Sequence, residues 1–212
     1  MDDKLLLLDN DFLYNFAAID YLEAVADILG FSPHSLRRLN SALQVFNKKA
    51  SIDFPPPQDD RVRKACDQIQ PLSAAPNRAL AAFMTNIDAI DEGEQYLFTI
   101  GCTYRKSFVA TCDRKALRAL CSHPLGSPIC DRLEGRVVLF ESVLLKLISQ
   151  YSYAAIRDAC TALCAKRSNF NEYFLAGKAA KEECCERLRF SCDRAMNFGS
   201  GSIIFYLPHK ST

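Results

Sequence analysis

The chain has 212 residues, 49% of them apolar, and a formal net charge of +1. This length and composition allow one well-buried core, or one domain with an appended piece. The near-zero net charge excludes a global field of the kind that attracts nucleic acid or membranes, and no apolar stretch reaches the length of a membrane span.

Ten cysteines predict reduced thiols rather than a disulfide framework. The N-terminal run of four leucines is too short for a signal peptide and is followed at once by Asp9. We therefore expect a cytoplasmic chain, in which thiols stay reduced. Because no pair of cysteines has the CxxC spacing, a structural zinc site is not expected.

The first predicted elements are a strand and two helices. Residues 4–8 are predicted as a strand, because the apolar run 5–8 is continuous and bounded by charge, which is typical of a parallel strand covered on both faces. Helical spacing follows over residues 11–18 and 21–29, and Gly30 supplies a C-terminal stop.

Ser32 and Pro33 then provide an N-cap and a first-turn proline, which predict the start of an amphipathic helix. Its apolar face is formed by Leu36, Leu39, Leu43 and Phe46. The polar stretch 47–58, with three consecutive prolines, predicts a loop.

Helices and strands then alternate as far as residue 150. Predicted helices cover about 59–69, 76–84, a segment opening at 91–94, 114–121 and 142–150, and predicted strands cover 107–112 and 136–140. The alternation predicts a three-layer α/β/α domain with a mainly parallel central sheet over residues 1–150. Residues 151–212 predict a mostly helical C-terminal extension packed on the same domain, with helices at about 152–166 and 172–190 and a final strand at 203–207.

Acidic residues at the ends of two predicted strands indicate a functional site. In an open parallel sheet, ligands bind beyond the carboxyl ends of the strands, and Asp9 and Asp113 each follow such an end. Glu94 would join them from the first turn of the helix that leads into the second strand. Three carboxylates suit Mg²⁺ or Mn²⁺, and such an ion can activate water against a phosphodiester.

Two segments resemble the PIN-like nucleases, a superfamily that includes toxin-type ribonucleases. LLLLDNDFL is similar to their opening strand, and IDEGEQYLFTIGCTYRKSFVATCDRKALRAL to a later segment in which a strand ends in Thr-x-Asp. The resemblance implies that Asp9, Glu94 and Asp113 are the metal-binding, catalytic carboxylates, with Asp91 competing with Glu94. It also implies that the Thr111 hydroxyl supports the Asp113 carboxylate.

The resemblance implies cleavage of RNA by water, leaving a 3′-hydroxyl and a 5′-phosphate. Nearby basic residues are expected to contact phosphates, and these are Arg105, Lys106, Arg114 and Lys115. The helical tail would form a homodimer interface or bind an inhibitor protein, and a toxin-like role follows by analogy alone. We expect no membrane partner.

The sequence departs from the family pattern at two points. Asp11 stands where the family usually has Asn or Ser, and the family's remaining acid, expected near SPHSLRRL, has no counterpart. The chain also runs beyond the family's usual length. These departures leave open a catalytically inactive PIN-like interaction module.

Two further alternatives concern the acids and bases themselves. Asp9, Asp91, Glu94 and Asp113 all fit helix-capping positions, and the basic residues fit a solvated surface. Asp9-Asn10-Asp11 also matches the opening motif of haloacid dehalogenase-like phosphatases, in which Asp9 would be the nucleophile and Asp11 the acid/base. That class needs a later pair of acids, and Asp113 has no second acid close behind it.

Overall fold

A computed structural model describes residues 4–49, 52–124 and 126–196. Within them, four parallel strands form one sheet in the order β2-β1-β3-β4. The strands are β1 (Leu5–Leu8), β2 (Leu36–Arg38), β3 (Ser107–Thr111) and β4 (Val137–Leu139). The helices are α1 (Asn10–Ala18), α2 (Leu22–Ile28), α3 (Ala42–Lys49), α4 (Gln58–Gln68), α5 (Arg78–Met84), α6 (Glu92–Thr103), α7 (Arg114–Ser122), α8 (Ser127–Leu133), α9 (Phe140–Gln150), α10 (Tyr153–Cys164), α11 (Ser168–Phe174) and α12 (Lys181–Met196).

Helices cover both faces of the sheet, and this explains why the sequence of β1 is continuously apolar. Leu6 and Leu8 belong to one hydrophobic cluster, Leu7 belongs to a second cluster, and all three are fully buried. Successive side chains of a strand point to opposite faces, so a strand covered on both faces needs an apolar residue at every position. The predicted α/β architecture with a parallel sheet is therefore confirmed.

The amphipathic helix predicted to begin at Pro33 is wrong in its first half. A 3₁₀ turn spans Pro33–Ser35, β2 follows, and α3 begins only at Ala42. Leu36 pairs with Leu6 of β1, and the Arg38 N–H donates to the Gln70 carbonyl at 3.1 Å. This pairing satisfies backbone groups that a helix would satisfy locally, so the helical spacing of the leucines did not decide the structure.

Two glycines shape the layers beside the sheet. Gly30 has φ of 74° and donates its N–H to the Asp27 carbonyl at 3.0 Å, which confirms the predicted stop after α2. A Cβ on Gly101 would lie 2.7 Å from Val109 Cγ2, so its absence lets α6 pack directly on β3. Because only residues 104–106 connect α6 to β3, the first turn of α6 lies toward the carboxyl edge of the sheet.

The helices after residue 150 share a hydrophobic cluster with the sheet. Phe170, Tyr173 and Phe174 of α11 are fully buried in the cluster that contains Leu6, and the rings of Phe140 and Phe170 lie 5.6 Å apart. The helix predicted over 172–190 is interrupted where Leu175 takes a left-handed conformation with φ of 48°. The predicted strand 203–207 lies outside the described residues. In the described part of the chain, no helix has the length and apolar character needed to cross a membrane.

Candidate functional site

The order in which the chain adds strands to the sheet reverses between β1 and β3, and the candidate site lies at that point. From β1 the chain proceeds to β2 on one side, then crosses to β3 on the other side and continues to β4. Such a switch point opens a crevice outside the carboxyl ends of the two central strands. Asp9 follows β1 directly, and Asp113 lies two residues beyond β3.

A cleft of about 570 Å³ occupies this crevice, and acidic and basic side chains both line it. The acids are Asp9, Asp11, Asp91, Glu94, Asp113 and Glu172, and the bases are Arg114, Lys115, Lys166 and Arg167. The three carboxylates predicted from the sequence therefore all line this one cleft, and the formal charge of the lining is −2.

Asp9 occupies the position before α1 without capping it. Its side chain makes no capping hydrogen bond, so the capping alternative does not account for this residue. Burial raises the pKa of the Asp9 carboxyl to about 7, repulsion by Asp11 and Asp91 adds to the rise, and backbone hydrogen bonds at Asn10 and Cys112 oppose it. Asp9 is thus a carboxylate whose negative charge the fold leaves poorly compensated.

Asp91 and Glu94 form a complete capping box at the start of α6. The Asp91 carboxylate accepts the Glu94 N–H at 2.9 Å, and Glu94 Oε2 accepts the Asp91 N–H at 2.9 Å. Burial is the main cause that raises the Glu94 pKa to about 9; repulsion by Asp113 and a side-chain hydrogen bond with it contribute to the rise, and the hydrogen bond from the Asp91 backbone opposes it. Glu94 is therefore protonated at neutral pH, and it both caps a helix and contacts a second acid of the cleft.

Asp113 also combines a cap with a place in the cleft. Its Oδ1 accepts the N–H groups of Lys115 at 2.6 Å and Ala116 at 2.8 Å, which leaves Oδ2 outside the cap. The Thr111 hydroxyl accepts the Asp113 N–H at 2.9 Å. Thr111 thus orients the backbone of Asp113, whereas the resemblance implied that it supports the carboxylate.

Arg167, from the connection between α10 and α11, reaches across to the first helix. Its guanidinium lies 2.9 Å from Asp11 Oδ1 and 3.6 Å from Asp53 Oδ2, it donates to Asn15 Oδ1 at 3.2 Å, and it stacks over Phe54 at 5.1 Å. An ion pair with this geometry neutralises Asp11 and fixes its side chain.

Arg114 is likewise held by acids. It lies 3.4 Å from Glu141 Oε1 and 3.3 Å from Glu172 Oε2. The Glu141 carboxylate is almost fully buried and also accepts the Tyr173 hydroxyl at 2.8 Å, while its Oε2 has no hydrogen-bond partner in the described chain. Burial raises the Glu141 pKa, and Arg114 opposes the rise.

The four basic residues predicted to contact substrate fall into two groups. Arg114 and Lys115 line the cleft. Arg105 and Lys106 precede β3 and lie at the amino edge of the sheet, so β3, about 16 Å long at 3.3 Å per residue, separates them from the cleft. The structure does not bring these two residues to the site.

Sequence reasoning missed Glu141 and Arg167. Glu141 directly follows the predicted strand 136–140, which is the same signal that identified Asp9 and Asp113. Arg167 carries no comparable signal, because its partners Asp11 and Asn15 lie more than 150 residues earlier in the chain.

The donor atoms of the cleft suit a hard divalent cation in their chemistry. Asp9 makes no cap bond, Glu94 and Asp113 each commit only one oxygen to a cap, and the buried Asn10 Oδ1 has no hydrogen-bond partner among the described residues. Carboxylate and amide oxygens are ligands that such cations bind. No group of three or more His, Cys, Asp or Glu side chains in residues 4–49, 52–124 and 126–196 is close enough to form a complete metal-binding set.

The chain was compared with protein-family models, curated proteins and solved structures. No protein-family model, curated protein or solved structure shows a significant similarity to the chain.

Proposed function

We propose that this chain is a metal-dependent nuclease that cleaves RNA, with Mg²⁺ or Mn²⁺ bound by carboxylates of the cleft. The convergence of Asp9, Glu94 and Asp113 on one cleft at the switch point of a parallel sheet carries this proposal. The same three residues are those that the PIN-like resemblance implies as ligands.

Mg²⁺ needs few protein ligands, since it is commonly held by one or two carboxylates together with waters and substrate phosphates. Asp9 and Asp113 would hold the ion, with Glu94 beside Asp113. A divalent cation would balance the −2 formal charge of the lining. Its positive charge would also offset the effect of burial and repulsion, which raise the pKa of Asp9 and Glu94.

The bound ion would supply activation of water and neutralisation of charge on the phosphodiester. The remaining roles belong to the chain's own residues. Glu94 releases its proton when positive charge enters the cleft, and its cap bond to Asp91 keeps the carboxylate in place. Lys115 offers an ammonium group to a neighbouring phosphate.

A cleavage assay tests the proposal directly. Wild-type protein is incubated with single-stranded RNA and Mg²⁺ or Mn²⁺, and 5′-phosphate product is measured. Asp9→Asn and Asp113→Asn should each lower the rate at least about 100-fold, corresponding to a loss of about 3 kcal/mol of transition-state stabilisation. Glu94→Gln should lower it too, although glutamine can still serve in the capping box.

Asp88→Asn is the matched control, because Asp88 is an exposed acid outside the cleft lining. Absence of cleavage with either ion, or full activity in Asp9→Asn, would contradict the proposal.

Calorimetric titration with Mn²⁺ separates the alternatives, since an inactive interaction module need not bind the ion. A fluoroberyllate adduct on Asp9 would favour the phosphatase alternative. That alternative needs Asp11 as the acid/base, but the Asp11 carboxylate is already paired with Arg167.

A further inference from the structure

We propose that the substrate strand is held by two lysines, Lys115 and Lys166, so that the C-terminal extension supplies half of the phosphate-binding surface. This inference rests on the proposed function and specifies its substrate as single-stranded RNA. Lys115 lies in the first turn of α7, and Lys166 lies between α10 and α11. These elements pack on opposite faces of the sheet and meet at the cleft.

The two arginines of the cleft are already engaged by protein acids. Arg167 contacts Asp11 and Asp53, and its side chain is only 14% exposed. Arg114 contacts Glu141 and Glu172. Moving either guanidinium onto a phosphate would leave carboxylates unpaired, and for the buried Glu141 that is strongly unfavourable.

The two lysines differ from the arginines in this respect. Lys115 and Lys166 are exposed, both line the cleft, and neither forms an ion pair with a described residue. A lysine is a compact charge on a flexible stem, so it can reach a phosphate without a fixed geometry. The arginines therefore build the walls of the cleft, and the lysines remain available for a polyanion.

A flexible single strand suits this arrangement. The acids that would hold the ion line a concave cleft of about 570 Å³, and the substrate backbone must bend toward them. A single strand can curve in this way, whereas duplex nucleic acid is stiff over about 50 nm, as measured for DNA. Phosphates on either side of the cleaved bond would then meet Lys115 and Lys166.

The salt dependence of RNA binding tests this inference. Binding of a fluorescein-labelled 12-nucleotide oligouridylate is followed by anisotropy between about 50 and 200 mM NaCl. The protein carries Asp9→Asn and Asp113→Asn, and EDTA is present, so that charge in the cleft is reduced and cleavage is prevented. Each lost phosphate contact should reduce the magnitude of the slope of log K against log salt by about 0.7.

We expect Lys115→Gln and Lys166→Gln each to reduce the slope by this amount, and the pair to reduce it by about 1.4. Lys178→Gln is the control, because Lys178 is exposed on the same extension but outside the cleft lining. The inference is overturned if Lys166→Gln leaves the slope unchanged, if a duplex of equal length binds as well, or if no binding occurs.

Different results would remove the nuclease activity and the strand path. Metal-dependent cleavage with an unchanged slope in Lys166→Gln would retain the nuclease and remove this strand path. The predicted slopes without cleavage by wild-type protein would retain the strand path and remove the nuclease.

Discussion

Two acids of the cleft commit one carboxylate oxygen to a helix cap and keep the other outside the cap. Asp113 uses Oδ1 to cap α7, and Glu94 uses Oε2 to complete the capping box of α6. A cap bond holds the whole carboxyl group in one orientation, because both oxygens are attached to the same carbon. Helix capping and a chemical role are therefore compatible at these positions, whereas Asp9 makes no cap bond at all.

The raised pKa of Asp9 makes the stability of the protein depend on pH. The folded-state pKa is about 7 and the ordinary value 3.8, so the unfolded chain loses this proton at lower pH than the folded chain. Asp9 therefore destabilises the fold progressively as pH rises from about 4 to 7, and the loss is complete above that range. Without divalent cation, Asp9→Asn should be more stable than wild type at pH 8 by about 1–4 kcal/mol.

Urea unfolding at pH 4.5 and pH 8 measures this difference. The gain from Asp9→Asn should be several-fold smaller at pH 4.5 than at pH 8, because less of the unfolded chain's Asp9 is ionised at the lower pH. Asp88→Asn, which changes an exposed acid outside the cleft lining, is the control. An equal effect of Asp9→Asn at both pH values would argue against a buried, poorly compensated carboxylate. Adding Mn²⁺ at pH 8 should stabilise wild type more than Asp9→Asn if Asp9 binds the ion.

At the level of elements, a buried polar network ties α7, α9, α11 and α12 together. Arg114 and Tyr173 both contact Glu141 Oε1, and the Tyr173 hydroxyl lies 3.3 Å from Ser191 Oγ. Glu141 lies two residues beyond β4, in the first turn of α9, so the network holds the extension against the carboxyl edge of the sheet. In this way the helices after residue 150 become part of the cleft.

Tyr173→Phe tests the strength of this network. The substitution removes a hydrogen bond to a buried carboxylate without removing the ring, and it should cost about 1.5–3 kcal/mol of stability. Tyr104→Phe is the comparison, because the Tyr104 side chain is exposed, and it should change stability by less than about 0.5 kcal/mol. Equal effects in urea unfolding would mean that the Glu141 contact contributes nothing specific.

At the scale of the whole molecule, one hydrophobic cluster extends from β1 to α12. Leu6 and Leu188 belong to it, as do the fully buried aromatic rings of α11. Removing the helices after residue 150 would expose the side of this cluster that they cover. Such loss of apolar burial usually exceeds the small net stability of a domain.

We therefore expect a chain ending at residue 150 to lose cooperative unfolding and to bind the dye ANS, as partly folded states with exposed apolar surface do. The full chain should unfold in a single transition. A truncated chain that unfolds cooperatively and retains near-ultraviolet circular dichroism would show instead that the extension is a separable unit.

The sequence by itself determined the elements whose cause is local. The apolar run of β1, the glycine stop after α2 and the strand-end positions of Asp9 and Asp113 all follow from neighbouring residues. The capping positions of Asp91 and Glu94 are equally local, since the box depends on residues three apart.

Only the tertiary structure decided the rest, because its causes lie far apart in the chain. The segment at Leu36 has helical spacing, yet it pairs with Leu6 as a strand. Arg167 neutralises Asp11 across more than 150 residues, and Arg114 is held by Glu141 and Glu172. These distant ion pairs decide which basic side chains of the cleft are left unpaired. No spacing within one segment of the sequence encodes them.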